Sequence, residues 1–305
     1  MSNNPNDFSS TTRPLSRVVT TAPAAPGFIG EGHTAVEVVE PSDLAASDPF
    51  VLLMDDRLDI AKRRQIGGAH PHAGIETVTL VLEGILHDRD EGALAAGDLI
   101  WMTAGRGIVH SESIEALGRS RILQLWIALP ARDRQTAPQF EIVRRADAPV
   151  LRSPGAEARL YSGASGSLRS PTRNLVPVTL LDVSLAPDAS FRQELPPEYN
   201  GFVYVVDGTS RVGADKLAAG QVGWFAPSDR GPLIVSAAER GARLVLYAGL
   251  PIGEPLVHQG PFVAGSRAEI AAQYRRYLDG QFQSMSQLAQ AQTGSRASTA
   301  GLTAR

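Results

Sequence analysis

No cysteine occurs in this chain, which excludes disulfides and thiol catalysis and gives little reason to expect an iron–sulfur cluster. Long apolar runs are missing as well. No window approaches the length needed to cross a bilayer, and the polar opening Met1 to Ser16 lacks the apolar region of a secretory signal. A cytoplasmic protein without a membrane partner is expected. There is no basic run either: 29 Lys and Arg stand against 32 Asp and Glu, for a net charge of −3. No direct nucleic-acid partner is expected, because such binders carry a clustered basic stripe. At 305 residues the chain can hold two domains, each with its own core.

What is present is β-rich. Short runs of Val, Ile, Leu, Phe and Tyr alternate with Gly, Pro, Asp and Ser turns, the pattern of a sandwich or barrel rather than of βαβ units. Strands are expected over Ala35 to Val39, Phe50 to Met54, Glu76 to Leu82, Leu99 to Met102, Ile122 to Leu129, Pro177 to Leu185, Gly201 to Val206, Val222 to Ala226 and Leu244 to Tyr247. One helix is expected over 266–279. It opens on the capping box Ser266-Arg267-Ala268-Glu269, carries Ile270, Tyr274, Tyr277 and Leu278 at helical spacing, and stops at Gly280. Residues 284–305 are poor in apolar side chains and read as a disordered tail, and residues 1–13 as a flexible one.

An internal repeat accounts for the length. Val81-Leu82-Glu83-Gly84 and Leu94-Ala95-Ala96-Gly97-Asp98-Leu99-Ile100-Trp101 are echoed by Val205-Val206-Asp207-Gly208 and Leu217-Ala218-Ala219-Gly220-Gln221-Val222-Gly223-Trp224, at offsets of 124 and 123 residues. Two barrels built to one plan are expected, with Trp101 and Trp224 in their cores. They are assigned to 14–137 and 138–283, the late helix going with the second.

The chemistry sits in the first half. His70-Pro71-His72 and His110-Ser111-Glu112 are two His-x-His/Glu pairs. Residues i and i+2 of a strand point to one side, so each pair offers two donors to one face. If the two strands lie side by side, three imidazoles and one carboxylate converge on one ion. That donor set suits Fe, Mn, Ni, Cu or Zn. The second half has Leu195-Pro196-Pro197 where the first pair would stand, so only one half can hold this metal. His33 and His258 are lone loop histidines and His87 a solvated turn residue.

The stretch His70 to Thr79, the run Gly97 to Glu112, the strand Gln124-Leu125-Trp126-Ile127-Ala128-Leu129-Pro130 and the late Gly260-Pro261-Phe262-Val263 resemble the pirin family of the cupin superfamily. The resemblance covers residues 14 to 283. It implies an all-β bicupin, two face-to-face jelly-roll barrels with a short C-terminal helix, the first holding one mononuclear metal, iron foremost, through His70, His72, His110 and Glu112. Other cupins take their carboxylate ligand from the first motif, where this chain has Thr77, with Glu76 one residue off. It also implies a quercetin 2,3-dioxygenase-like activity, with a flavonol chelated to the metal and O2 cleaving its heterocycle. Glu112 would then be both ligand and proton acceptor, and Gln124 would orient a ligand or the substrate. The alternative is an iron-dependent redox-sensing module that binds a protein partner without turnover. The family commonly has Arg and Phe where this chain has Ala73 and Ile75, a departure expected at the pocket mouth.

Overall fold

A computed structural model of the chain describes residues 12–88, 92–111, 114–225 and 231–291. Two compact units emerge, and both are discontinuous: one takes residues 24–45, 51–145 and 253–305, the other 1–23, 46–50 and 146–252. The late helix, expected with the second half, thus belongs to the unit that carries the histidine pairs.

In the histidine-bearing unit a nine-stranded sheet runs in the order Gln139–Val143, Leu99–Thr103, Ile75–Glu83, Ile114–Ala128, Phe50–Ile66, His33–Val39 and Ala25–Pro26, with the hairpin Ile85–Asp88 and Gly92–Ala95 attached at the side. A three-stranded sheet places Ile108–Ser111 between Ala69–His72 and Gln283–Ser284. The other unit has its own nine-stranded sheet, whose path leads from Arg17–Thr20 through Gln221–Phe225, Asn200–Val212, Leu233–Gly249, Val178–Leu185 and Ala156–Ser162 to Val150–Ser153. The expected barrels are corrected here to jelly-roll-like sheets that run open from edge to edge, since each path ends on two different strands.

The repeat is visible in hydrogen bonds. Gly97 N–H donates to the Val81 carbonyl at 2.8 Å and Ala96 N–H to that of Gly84 at 3.0 Å; Gly220 donates to Val205 at 2.9 Å and Ala219 to Gly208 at 3.0 Å. Gly84 and Gly208 both have positive φ, and a Cβ at either would lie within 2.3 Å of a backbone oxygen. Only glycine makes this turn, which is why a glycine recurs at this point of both halves. Trp101 and Trp224 are buried in their respective cores, as expected.

Several boundaries differ from expectation. The Phe50–Ile66 and Leu233–Gly249 strands are each 17 residues long; past Met54 the buried Asp56, Leu58 and Ile60 carry the alternation on between exposed polar neighbours. Arg13, placed in the tail, is fully buried: its guanidinium donates to the carbonyls of Leu195 (3.2 Å), Pro196 (2.9 Å) and Tyr199 (3.1 Å) and lies over the Phe225 ring. At the other end residues 285–291 are helical, with Met285 and Leu288 buried, so the expected tail does not begin at 284. Two apolar residues at i and i+3 suffice to dock a turn that composition alone reads as polar. Residues 1–11 and 292–305 lie outside the described residues.

The helix spans Arg267–Leu278, capped by Ser266, whose hydroxyl accepts from Glu269 N–H at 3.3 Å. Ile270 packs with Ala73, Phe262, Ala264 and Phe282, flanked by Tyr274 and Tyr277. Leu278 is 78% exposed instead of joining this stripe, and Gln273 is buried in its stead, donating to the Val263 carbonyl at 3.2 Å. Eight residues advance a helix about 80° past Ile270, whereas three or seven bring the side chain back to the same face. No helix among the described residues is long and apolar enough to cross a membrane.

Candidate metal centre

Strands Ala69–His72 and Ile108–Ser111 pair antiparallel, with His110 opposite His70 and Ile108 opposite His72. Alternation turns His70 and His72 to one face, and the register brings His110 up to both. The Nε2 atom of His110 lies 2.9 Å from Nε2 of His70 and 3.1 Å from Nε2 of His72. Ligand atoms of all three lie within 4.8 Å of one another.

Burial keeps these rings neutral. It holds the His70 imidazole below its ordinary value against a hydrogen bond to the Gly68 carbonyl. His72 is pushed down to about 3 by burial first and His70 second, while the Pro261 carbonyl, short of hydrogen-bonding geometry at Nδ1, pulls weakly the other way. His110 is held well below its ordinary value by burial, then by His72 and His70. The tautomer of His70 is fixed as well. Its Nδ1 donates to the Gly68 carbonyl at 3.0 Å, which leaves Nε2 a bare lone pair facing His110.

A cation fits such a cluster. A nitrogen carries one proton or one lone pair, so one N–H at most would have to serve two neighbours at once. Two imidazole nitrogens each about 2.1 Å from one ion and at right angles would stand about 3.0 Å apart, against about 3.4 Å for a tetrahedral angle. The separations of 2.9 and 3.1 Å are short enough for donors that share one ion. Glu112, the expected carboxylate, lies outside the described residues. Glu76 is fully buried and accepts a hydrogen bond from the Thr103 hydroxyl at 2.9 Å; Thr77, not Glu76, faces the histidines' cavity.

That cavity takes in about 850 Å³ of empty space when its open mouth and the adjoining solvent are included. Alternate residues of four strands line it: Leu52, Met54 and Asp56; Thr77 and Thr79; Ile100; Ile122, Gln124 and Trp126. Gln124 therefore faces the same space as the imidazoles. The Trp126 ring stands edge-on to His72 at 4.9 Å, and its buried Nε1 has no hydrogen-bond partner among the described residues. Phe28, 76% exposed, sits at the mouth against His33 and His70. Ala73 and Ile75 are both fully buried and neither lines the cavity. Their departure from the family pattern is thus a matter of packing and not, as expected, of the mouth.

His87 is exposed on the hairpin strand, and His258 lies outside the cavity, 6.0 Å from the Trp126 ring. Burial lowers the His258 imidazole. His33, read as a loop residue, is buried at the head of a strand with Asp56 as partner. Sequence reading missed Asp56, Trp126 and Phe28. The signal for Asp56 was there: in Leu52-Leu53-Met54-Asp55-Asp56 the second aspartate shares the face of Leu52 and Met54.

Residues 33–127 match the family model described as Pirin, and residues 180–283 match the Pirin C-terminal cupin domain. The chain belongs to the pirin family. Over 233 residues this pirin is 32% identical to a Pseudomonas aeruginosa protein provisionally named a quercetin 2,3-dioxygenase, covering 73% of this chain and 81% of that one. Its fold matches the solved quercetin 2,3-dioxygenase of Acinetobacter baumannii with a TM-score of 0.80 and 24% identity, covering 90% and 99% of the two chains. It also matches the bacterial pirin YhhW of Escherichia coli in complex with nickel(II), with a TM-score of 0.56, 19% identity and coverage of 77% and 99%. This pirin is thus an all-β bicupin.

Proposed function

We propose that this pirin is a cytoplasmic mononuclear metal dioxygenase that opens the heterocycle of flavonols with O2. The observation that carries the reading is the convergence of three neutral imidazole Nε2 atoms in a mostly apolar cavity open to solvent. His70, His72, His110 and Glu112 would hold the ion. A set of imidazoles and a carboxylate would suit iron, with Mn, Ni, Cu or Zn as alternatives. Such an ion supplies a Lewis-acid centre and open positions where a chelating enolate and O2 meet.

The rest is done by side chains. Glu112, as the carboxylate ligand the family resemblance implies, would accept the proton of the flavonol hydroxyl. Gln124 and the indole N–H of Trp126, both facing the cavity or bordering His72, orient the substrate. Leu52, Met54, Ile100 and Ile122 give the aromatic rings an apolar wall and keep water from the reacting edge. The lining favours turnover over sensing, because a surface that reports a redox change needs a charged patch and this cavity is mainly hydrocarbon.

The test is aerobic incubation of the iron-loaded protein with a flavonol panel, following oxygen uptake. Uptake that depends on both iron and flavonol is expected. None, with iron shown to be in place, would turn the assignment toward the redox-sensing module and its protein partner.

A further inference from the structure

Adjacent aspartates on the strand Phe50–Ile66 have opposite fates. Asp55 is fully buried and held by Arg121, whose Nε and Nη2 reach its two oxygens at 2.8 and 2.6 Å. That is a structural ion pair. Asp56, on the other face, lines the cavity. Its side chain is only 9% exposed, and a carboxylate so withdrawn from water ordinarily has its oxygens bonded. One is: Oδ1 lies 2.8 Å from Nε2 of His33. Oδ2 takes no hydrogen bond from a described residue and keeps its access to the solvent of the cavity.

His33 is built to hold Asp56, not to exchange protons with it. Its Nδ1 accepts the backbone N–H of Ile29 at 3.2 Å, which fixes the proton on Nε2 and points it at the carboxylate. Both ring nitrogens are committed, and the side chain is 1% exposed. Gly27 makes room for this, since a Cβ there would lie 2.1 Å from Nδ1. The same turn carries Phe28 to the mouth of the cavity. A three-residue device therefore fixes one oxygen of a buried carboxylate and leaves the second to whatever enters.

The wall around it is apolar and no cation lines it among the described residues. The ligand best matched to a single carboxylate in a wall otherwise made of hydrocarbon, histidines and the neutral Thr77, Thr79 and Gln124 is a flat, mostly apolar molecule with a hydroxyl donor. We infer that Asp56, locked by His33, is a specificity-determining residue that accepts a hydrogen bond from a hydroxyl of the chelated substrate other than the one that binds the ion. The class of substrate rests on the function proposed above.

Affinity separates this inference from turnover. Iron-loaded full-length protein is titrated without oxygen with three flavonols bearing two, one or no hydroxyls on the pendant ring, binding being followed by calorimetry. The wild type should prefer the hydroxylated ligands by about tenfold to a hundredfold, the worth of a hydrogen bond to a charged group. Asp56→Asn keeps the shape and the bond from His33 but turns an amide N–H toward the ligand, to which a hydroxyl can only offer a neutral bond, and should cut that preference to about tenfold or less while leaving the iron content unchanged. Gly27→Ala, which displaces His33 without entering the cavity, should weaken the preference in the same direction. Equal affinity for all three ligands in the wild type, or an undiminished preference in both variants, overturns the role of Asp56 and leaves the dioxygenase reading standing. The preference without oxygen uptake overturns only the dioxygenase; failure of any flavonol to bind overturns both.

Discussion

Removing metal from this pirin should expose the cost of keeping its imidazoles unprotonated. In the unfolded chain His72 takes up a proton near pH 6.5, whereas burial, with His70 second, holds it down to about 3 in the folded protein. Between those values the unfolded state binds the extra proton, so this contribution to stability is intact above about pH 6.5 and shrinks as pH falls toward 3. At pH 5 the loss from His72 alone is about 2 kcal/mol relative to pH 7.5, and it barely changes for any folded value under about 4.5. His70 and His110 shift in the same direction and add to it. Chelator-treated wild type and His72→Phe are to be unfolded in urea at both pH values, with tryptophan fluorescence as the probe. The variant should lose about 2 kcal/mol less on going to pH 5, whatever its stability at neutral pH. An identical pH-linked loss in the two proteins would refute the claim that this imidazole is held neutral by its surroundings.

Elemental analysis should find one transition-metal ion per chain, and His72→Ala should strip it; two ions per chain or full occupancy in the variant would sink the site. Glu112→Gln should retain the fold and some metal but slow flavonol-dependent oxygen uptake by about two to four orders of magnitude, the worth of a positioned base, and wild-type rates in that variant would remove Glu112 from the chemistry. Ending the chain after Phe282 deletes the buried Met285 and Leu288 and should lower stability by more than about 2 kcal/mol in thermal or urea melts, where a true tail would leave them unchanged.

Local patterns made much of this molecule legible. Two i, i+2 histidine pairs name a shared face before any pairing is known, and the antiparallel register of Ala69–His72 with Ile108–Ser111 completes what alternation began. The repeated turn at Gly84 and Gly208 was readable because a positive φ tolerates one residue type. Long-range partners were not readable. Nothing near Arg13 in sequence foretells three carbonyls some 180 residues away, and nothing near His33 foretells Asp56. Leu278 misled because its chemistry fits an apolar stripe that its angular position misses.

The strand that carries His110 has Gln283–Ser284 as its second neighbour, paired in parallel at Ile108 and Val109. Synthesis runs from the N-terminus, so all three histidines leave the ribosome long before that neighbour exists. Until then Ile108–Ser111 is an edge strand with one free side, exposed to mispairing. Nascent chains therefore present the donor set early and the scaffold that immobilises it late. Completion of the centre's sheet is in this sense a closing event of biosynthesis, and a premature stop between residues 145 and 283 yields every imidazole of the triad without the parallel neighbour of the strand that carries His110.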